Sequence, residues 1–263
     1  MNNSFYLPEQ PFFKLSTRQF VSRVGSTSGL LAQYYSFEVP SDDNRAIVAV
    51  PDGTIDILFH CSASAPTASV CGSVKKGKQI EFKKGSLYFG ARFLPGTAKQ
   101  ILKNPLSHFT DQEILLDDIQ SNSDEFVELI CGAESFDERI SLFEKYYTRC
   151  KSDKDCAPSL ISFLLEKINA SCGEIRVQEL ADETGYSTRH VSNVFKKYVG
   201  ISPKLFSRIV RFQRSFSLLR LQNKATFADL AQNAGYYDQA HFINEFKEFS
   251  LNTPTQIIHG SFC

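Results

Sequence analysis

Apolar and polar positions follow two different periods along the chain, and the change falls just before Phe126. Upstream, "AIVAV" and "TIDILF" are apolar runs on either side of a Pro-Asp-Gly turn, and "QIEFKKGSLYFGARF" predicts two more strands around Lys-Lys-Gly. Glycines 72, 77, 85, 90 and 96 space short segments in the manner of a small barrel or sandwich. From there the period becomes helical: Phe126, Leu129 and Ile130, then Phe136, Ile140, Phe143 and Tyr147 beyond Gly132. These two amphipathic helices could pack on the β structure or pair with a second subunit. "CKSDKDCAP", residues 150 to 158, reads as a linker, giving domains 1–150 and 157–263. Everything after it is helical in pattern. Ser202-Pro203 supplies an N-cap and N1 proline, and Thr226 with Asp229 resembles a capping box. Arg176, the counterpart of Thr226 one copy earlier, cannot cap in that way.

That counterpart exists because the helical half repeats itself. Leu180-Ala181 aligns with Leu230-Ala231, and Gly185 with Gly235, at an offset of 50; Phe195-Lys196 aligns with Phe246-Lys247, and Ser202-Pro203 with Thr253-Pro254, at 51. Each copy reads helix, Gly-Tyr turn, helix, which predicts a helix-turn-helix twice over. In such a unit the second helix keeps one face in the core and offers the other to DNA. Val191, Val194, Phe195 and Tyr198 supply the inner face of the first copy, leaving Arg189, Ser192, Asn193 and Lys196 outside. In the second, Phe242, Phe246 and Phe249 face inward, with Gln239, His241, Asn244 and Lys247 outside. Arginine and asparagine suit bidentate contacts to guanine and adenine edges, and lysine suits phosphate.

The segment Pro203 to Leu221 connects the two copies. As a continuous helix it spans about 28 Å at ~1.5 Å per residue, against the ~34 Å between successive major grooves on one face of a duplex. Leu205, Ile209, Phe212, Phe216 and Leu219 form its core stripe. Lys204, Arg208, Arg211 and Arg214 are then candidates for the phosphate backbone, with carboxylates on the core side as the alternative partners of Arg208 and Arg211.

Charge sharpens this picture. The chain of 263 residues has a formal net charge of zero, yet Tyr186 to Lys224 holds nine basic residues and no acid. A one-sign stretch of that length suits a polyanionic partner. Seven cysteines, at 61, 71, 131, 150, 156, 172 and 263, are scattered without a C-x-x-C pair, so reduced thiols are expected, with a Cys150–Cys156 redox switch as the alternative. His60 and His108 are isolated, and no metal or other cofactor is expected. No run approaches the ~20 apolar residues of a membrane helix, and the N-terminus lacks the pattern of a signal peptide. A cytoplasmic protein with no membrane partner is the expectation.

"LADETGYSTRHVSNVFKKYVGISPKLF" together with "FADLAQNAGYYDQAHFINEFKEFSLNTPTQI" resembles the DNA-binding domain of AraC/XylS-type transcription regulators, over about 100 residues from near Pro158 to Ile258. The resemblance implies seven helices with two helix-turn-helix motifs joined by a long helix. It places base-contacting positions at Arg189, Ser192 and Asn193 in the first copy and at Gln239, Ala240 and Asn244 in the second. Members often carry arginine where Asn193 and Asn244 stand, and glycine where Leu251 stands. "VPDGTIDILF", "GARFLPGTA" and "LLDDI" resemble a sensor domain that precedes it in some such regulators. That implies a β-rich, cupin-like pocket followed by helices that can dimerise.

The fold class expected is therefore α+β in two domains: a cupin-like β-barrel or sandwich with helices, then an all-α double helix-turn-helix. Asp56, Phe89, Arg92 and Phe93 are the candidate pocket residues, against buried structural roles for Asp56 and Arg92. The function expected is sequence-specific binding of double-stranded DNA, under a small-molecule effector, by recruiting or blocking RNA polymerase, as a monomer or homodimer and without catalysis. A cupin-like enzyme would need convergent acid, base or metal ligands, which the sequence does not show. The other rival has the helical domain bind a protein partner instead of DNA.

Overall fold

The computed structural model describes residues 8–25, 31–42, 46–120, 123–150, 157–221 and 226–259. Among the described residues a short helix α1 (Pro11–Ser16) precedes eight strands: β1 (Arg18–Val24), β2 (Leu31–Glu38), β3 (Ile47–Ala49), β4 (Ile55–Cys61), β5 (Thr67–Cys71), β6 (Lys78–Ile80), β7 (Leu87–Phe93) and β8 (Glu113–Leu115). Six of them form an antiparallel sheet in the order β1-β2-β7-β4-β5-β8, and β3 pairs with β6 in a separate ribbon. Among the described residues the large sheet stays open, so the sandwich form of the expectation holds and the closed barrel does not. The runs flanking the Pro-Asp-Gly and Lys-Lys-Gly turns do not pair with each other; each turn instead carries the chain from the ribbon into the sheet.

Both faces of the sheet are covered, and strand alternation sorts its side chains between them. On one face Tyr34, Phe59, Phe89 and Phe93 meet α3 (Asp124–Gly132) and α4 (Phe136–Cys150), where Phe126, Ile130, Phe143 and Tyr147 are buried. The two amphipathic helices thus pack on the sheet, although Leu129 stays 52% exposed, because the inward stripe of α3 runs through Phe126, Val127 and Ile130. A short helix α2 (Leu116–Ile119) leads into them. On the opposite face Tyr35, Phe37 and Tyr88 pack with Phe12 and Phe13 of α1 and with the ribbon. Gly90 of β7 sits under the Tyr35 ring, where an added Cβ would stand 2.1 Å from the ring carbon.

The helical half contains α5 (Ser159–Ala170), α6 (Val177–Thr184), α7 (Thr188–Val199), α8 (Pro203–Leu221), α9 (Phe227–Asn233), α10 (Gln239–Ser250) and α11 (Pro254–Ile258). These are the seven helices the resemblance implies. α8 is one continuous helix of 19 residues. Its inner stripe, Ile209, Phe212, Phe216 and Leu219, is buried as expected, but Phe206, Ser207, Val210, Gln213 and Ser215 are buried too. α8 is therefore a central helix, wrapped by its own domain and by the β-rich half. The hydrophobic cluster around it runs without a break from Phe12 and Phe37 to Phe246 and Phe249.

Polar contacts fasten this seam. The Gln213 side chain donates to the carbonyls of Pro51 (2.9 Å) and Glu9 (3.2 Å) and accepts from the Glu9 N–H (3.0 Å). Gly53, at φ +69°, lies where a Cβ would meet the Phe206 ring at 2.6 Å, so the turn can lie on α8 only with glycine there. The C-terminal ends of both outer helices are also held: Thr110 donates to the Gly200 carbonyl after α7 (2.7 Å), and the Gly77 N–H donates to the Glu248 carbonyl in α10 (3.0 Å). Within the helical half, Arg208 of α8 donates through Nε to Glu245 (2.6 Å) and through NH2 to Glu248 (2.8 Å), with its guanidinium 4.8 Å from the Phe249 ring centroid. Burial alone would lower the Arg208 pKa; the two carboxylates reverse that and raise it.

Two outcomes follow from this seam. Gln213→Ala strands the buried Pro51 carbonyl and the partly buried backbone groups of Glu9 and should cost about 2 kcal/mol in urea titration, whereas a surface-like loss of a few tenths would contradict the shared core. Arg208→Ala leaves the Glu245 carboxylate, 3% exposed, without its closest cation. It should cost about 3 kcal/mol by the same measurement.

Candidate nucleic-acid interface

Local sequence explains how each helix-turn-helix is held. In the first copy α6 ends on Gly185 in the left-handed region (φ +71°), and Ser187 caps α7 by accepting from the His190 N–H at 3.2 Å. At the start of α6 the Glu179 carboxylate accepts from the Arg176 N–H at 3.1 Å, so half a capping box forms without a capping side chain at Arg176. In the second copy the Thr226 and Asp229 capping box forms in full, with bonds of 3.1 and 3.2 Å. Asp238 then caps α10 by accepting from the His241 N–H at 2.7 Å. α10 ends on Leu251 at φ +58°, a left-handed C-cap taken by a residue other than glycine.

The inner faces are apolar and buried. Val191, Phe195 and Val199 are buried in α7, with Val194 and Tyr198 partly so, and Phe242, Phe246 and Phe249 are buried in α10. The outer faces carry Arg189, Asn193 and Lys196, all exposed, with Ser192 half-buried beside them. On α10, Gln239, Ala240, His241, Asn244 and Lys247 are all exposed. α7 contains no acid, and the two carboxylates of α10, Glu245 and Glu248, are turned onto Arg208. Neither outer face therefore opposes a polyanion with a free carboxylate of its own helix.

Along α8 the four basic candidates divide. Lys204 and Arg214 are exposed. Arg208 and Arg211 are drawn inward, against the expectation that they lie toward a phosphate backbone. Arg208 holds Glu245 and Glu248, while Arg211 donates to the Gly173 carbonyl at 3.0 Å, lies 3.8 Å from Glu245 and stands 5.6 Å from the Tyr236 ring centroid. The physical reason is Glu245 itself. A carboxylate on the buried side of α10 needs cations, and both arginines are within reach of it.

One exposed group escaped the sequence reading. The repeat changes offset from 50 to 51 in the second Gly-Tyr turn, and the extra residue leaves Tyr236 buried while Tyr237, just ahead of the Asp238 cap, is 94% exposed. In the first copy Tyr186 is 50% exposed and stacks on His190 at 4.6 Å between centroids. The shift in offset was the available signal.

The candidate pocket residues separate by strand parity. Asp56 and Arg92 are register partners across β4 and β7, and their side chains pair, Arg92 Nε and NH2 reaching Asp56 at 3.0 and 2.8 Å. Tyr35 donates to Asp56 at 2.7 Å, and Asp52 lies 3.7 Å from Arg92. Burial pushes the Asp52 carboxyl above the usual range and the Tyr35 hydroxyl well above its own. For Arg92 burial acts downward, but Asp56 and Asp52 outweigh it and hold the guanidinium charged. Phe89 and Phe93 are a correction: one residue out of phase with Arg92, they point to the other face of the sheet and pack under α4. Behind Arg92, on the α8 side, lies a cavity of about 440 Å³ lined by Phe13, Lys14, Gln33, Tyr35, Arg92 and Arg220, so both halves of the chain contribute to its wall. Among the described residues no group of side chains is arranged to hold a metal ion, and no helix is long and apolar enough to cross a membrane. The Cys150–Cys156 pairing falls outside the described residues at Cys156.

Comparison with known proteins adds two family matches: residues 180–259 to a family described as a helix-turn-helix domain, and residues 28–115 to a domain of unknown function (DUF6597). An uncharacterized HTH-type transcriptional regulator of Haemophilus influenzae is 28% identical over 116 residues, which is 44% of this chain and only 37% of that protein. The lactose operon transcription activator of Staphylococcus xylosus is 23% identical over 251 residues, covering 86% of this chain and 88% of that one. Among solved structures, a probable AraC family transcriptional regulator from Rhodopseudomonas palustris matches 40% of this chain and 99% of its own, at 23% identity and a TM-score of 0.35. These matches make residues 180–259 a helix-turn-helix domain that follows a β-rich half in which residues 28–115 match the domain of unknown function, and they make the chain similar along 86% of its length to a transcription activator.

Proposed function

We propose that the chain binds specific sequences of double-stranded DNA through α7 and α10 and thereby regulates transcription. The observation that carries this is the pair of outer faces: Arg189, Asn193 and Lys196 on one helix and Gln239, His241, Asn244 and Lys247 on the other, exposed and free of competing acids on either helix. Arg189, Ser192 and Asn193, with Gln239, Ala240 and Asn244, are the proposed base-reading positions, and Lys196, Lys247 and Lys204 the phosphate contacts. Tyr237 joins them as a ring at the entrance of α10 that can lie against the sugar-phosphate backbone. Arg208 and Arg211 leave the contact set and become positioning residues for α10. The proposal extends to a cytoplasmic protein that recruits or blocks RNA polymerase, alone or as a homodimer, without a catalytic step.

A small-molecule effector fits the same reading through the cavity behind Arg92. Its wall joins the sheet to Arg220 near the end of α8. A ligand there would touch both halves, so its binding energy would change how firmly they are docked.

Sequences selected from a random duplex pool, followed by shift assays across a salt series, test the assignment. Arg189→Ala and Asn244→Ala should each relax preference at particular base positions, costing about 1–3 kcal/mol on the selected site. Lys204→Ala should weaken all sequences about equally and reduce the salt slope by about one. Uniform loss in all three variants would remove the base-reading role, and absence of DNA binding with retained fold would favour a protein partner for these faces.

A further inference from the structure

The turn between β5 and β6, residues 72–77, lies across the C-terminal end of α10. The Gly77 N–H donates to the Glu248 carbonyl at 3.0 Å, and a Cβ at Gly77 would stand 2.7 Å from the Phe249 carbonyl oxygen, so only glycine lets the turn sit this close. Lys76 Nζ is 3.3 Å from the Glu248 carboxylate, with 71% of the Lys76 side chain exposed. Lys75, 54% exposed, pairs with Asp111 at 2.8 Å, and the same carboxylate accepts from the Lys75 N–H at 2.8 Å. Asp111 follows Thr110, whose hydroxyl is bonded to the Gly200 carbonyl beyond α7. A braced strip of the β-rich half therefore runs from the end of α7 to the end of α10, and it carries two exposed cations.

Glu248 stands four residues beyond Asn244, about one turn along the same side of α10. Lys76 is thus beside the outer face of α10, at the end where a helix seated in a groove meets the sugar-phosphate backbone. The neighbouring acids do not bar a phosphate. Glu248 is also held by Arg208 at 2.8 Å, so releasing Lys76 leaves it paired, and the exposed pair of Lys75 with Asp111 is of a weak kind that exchanges partners readily. We propose that the β-rich half itself binds DNA, Lys75 and Lys76 contacting phosphates that flank the segment read by α10. This rests on the reading of α10 as a DNA-reading helix and adds a contact that the helical half does not contain. An ammonium recognises phosphate charge and carries no base information. The consequence is regulatory: a duplex held by both halves makes its affinity depend on how firmly they are docked. A lysine near a helix C-terminus also offsets the helix dipole, but that role is felt in stability and leaves salt dependence unchanged.

Shift assays of the full chain on a selected duplex, across a salt series, test the contact. Lys75→Gln and Lys76→Gln together should reduce the salt slope by about two and weaken binding on the order of tenfold, alike on selected and unrelated duplexes. Lys75→Arg with Lys76→Arg should keep the wild-type slope. Acetylation of the amines of the wild-type chain, mapped by mass spectrometry with and without duplex, reads the same contact without a variant. The duplex should protect Lys75 and Lys76 together with Lys196 and Lys247, and leave Lys145, exposed on α4 across the sheet, as reactive as before. An unchanged slope in the glutamine variant, or Lys75 and Lys76 as reactive as Lys145 while Lys196 and Lys247 are protected, would overturn the proposal and leave the reading of α10 standing. Protection of none of the four would overturn both.

Discussion

The structure depends on the burial of α8. A helix that only linked two DNA-binding units could leave one long face in water, yet in α8 Lys204, Arg214 and Arg220 are exposed while Phe206, Ile209, Phe212, Gln213, Ser215 and Phe216 are enclosed. Apolar burial on several sides makes a rotation or bend of this helix costly, since its side chains are close-packed against three bodies at once. The first helix-turn-helix, the second and the β-rich half all take their position from it. Thr110 at Gly200 and Gly77 at Glu248 then tie the far ends of α7 and α10 to the β-rich half as well.

This arrangement divides the basic residues by purpose. Arg208 and Arg211 spend their charge on Glu245, which fixes α10 against α8; Lys204, Arg189 and the lysines of the outer helices keep theirs in solvent. A buried carboxylate with two arginines specifies one way of seating α10, because any other seating leaves the charge unpaired. The acid-free stretch from Tyr186 to Lys224 therefore has two causes. Part of it serves the surface, and part answers an acid that lies downstream of it.

The helical half was readable from the sequence because its signals are local: the repeat, the capping residues at Ser202 and Thr226, and apolar positions such as Phe195 and Phe246 at helical spacing. The partners of Arg208 and Arg211 were not, since they depend on Glu245 being on the inner side of α10, which a helical wheel of mixed polarity does not reveal. In the β half, β2 gave no alternating pattern because it is covered on both faces, with Tyr34 buried against α4 and Tyr35 against α1. That the runs flanking the Pro-Asp-Gly turn enter different sheets was not legible for a related reason: both are apolar, and nothing local separates them. Phe89 and Phe93 were grouped with Arg92 by nearness in sequence, whereas a strand sends neighbours to opposite faces.

In the proposed complex α8, as one rigid helix, holds two reading helices at the pitch of DNA. Hydroxyl-radical footprinting on a selected high-affinity duplex tests it most directly. Two protected segments are expected on one face of the duplex, with centres about one helical turn, ~10 bp, apart. Inserting about half a turn, ~5 bp, between them should abolish joint protection. Two segments that tolerate that insertion, or a single segment centred on one half-site, would contradict this arrangement.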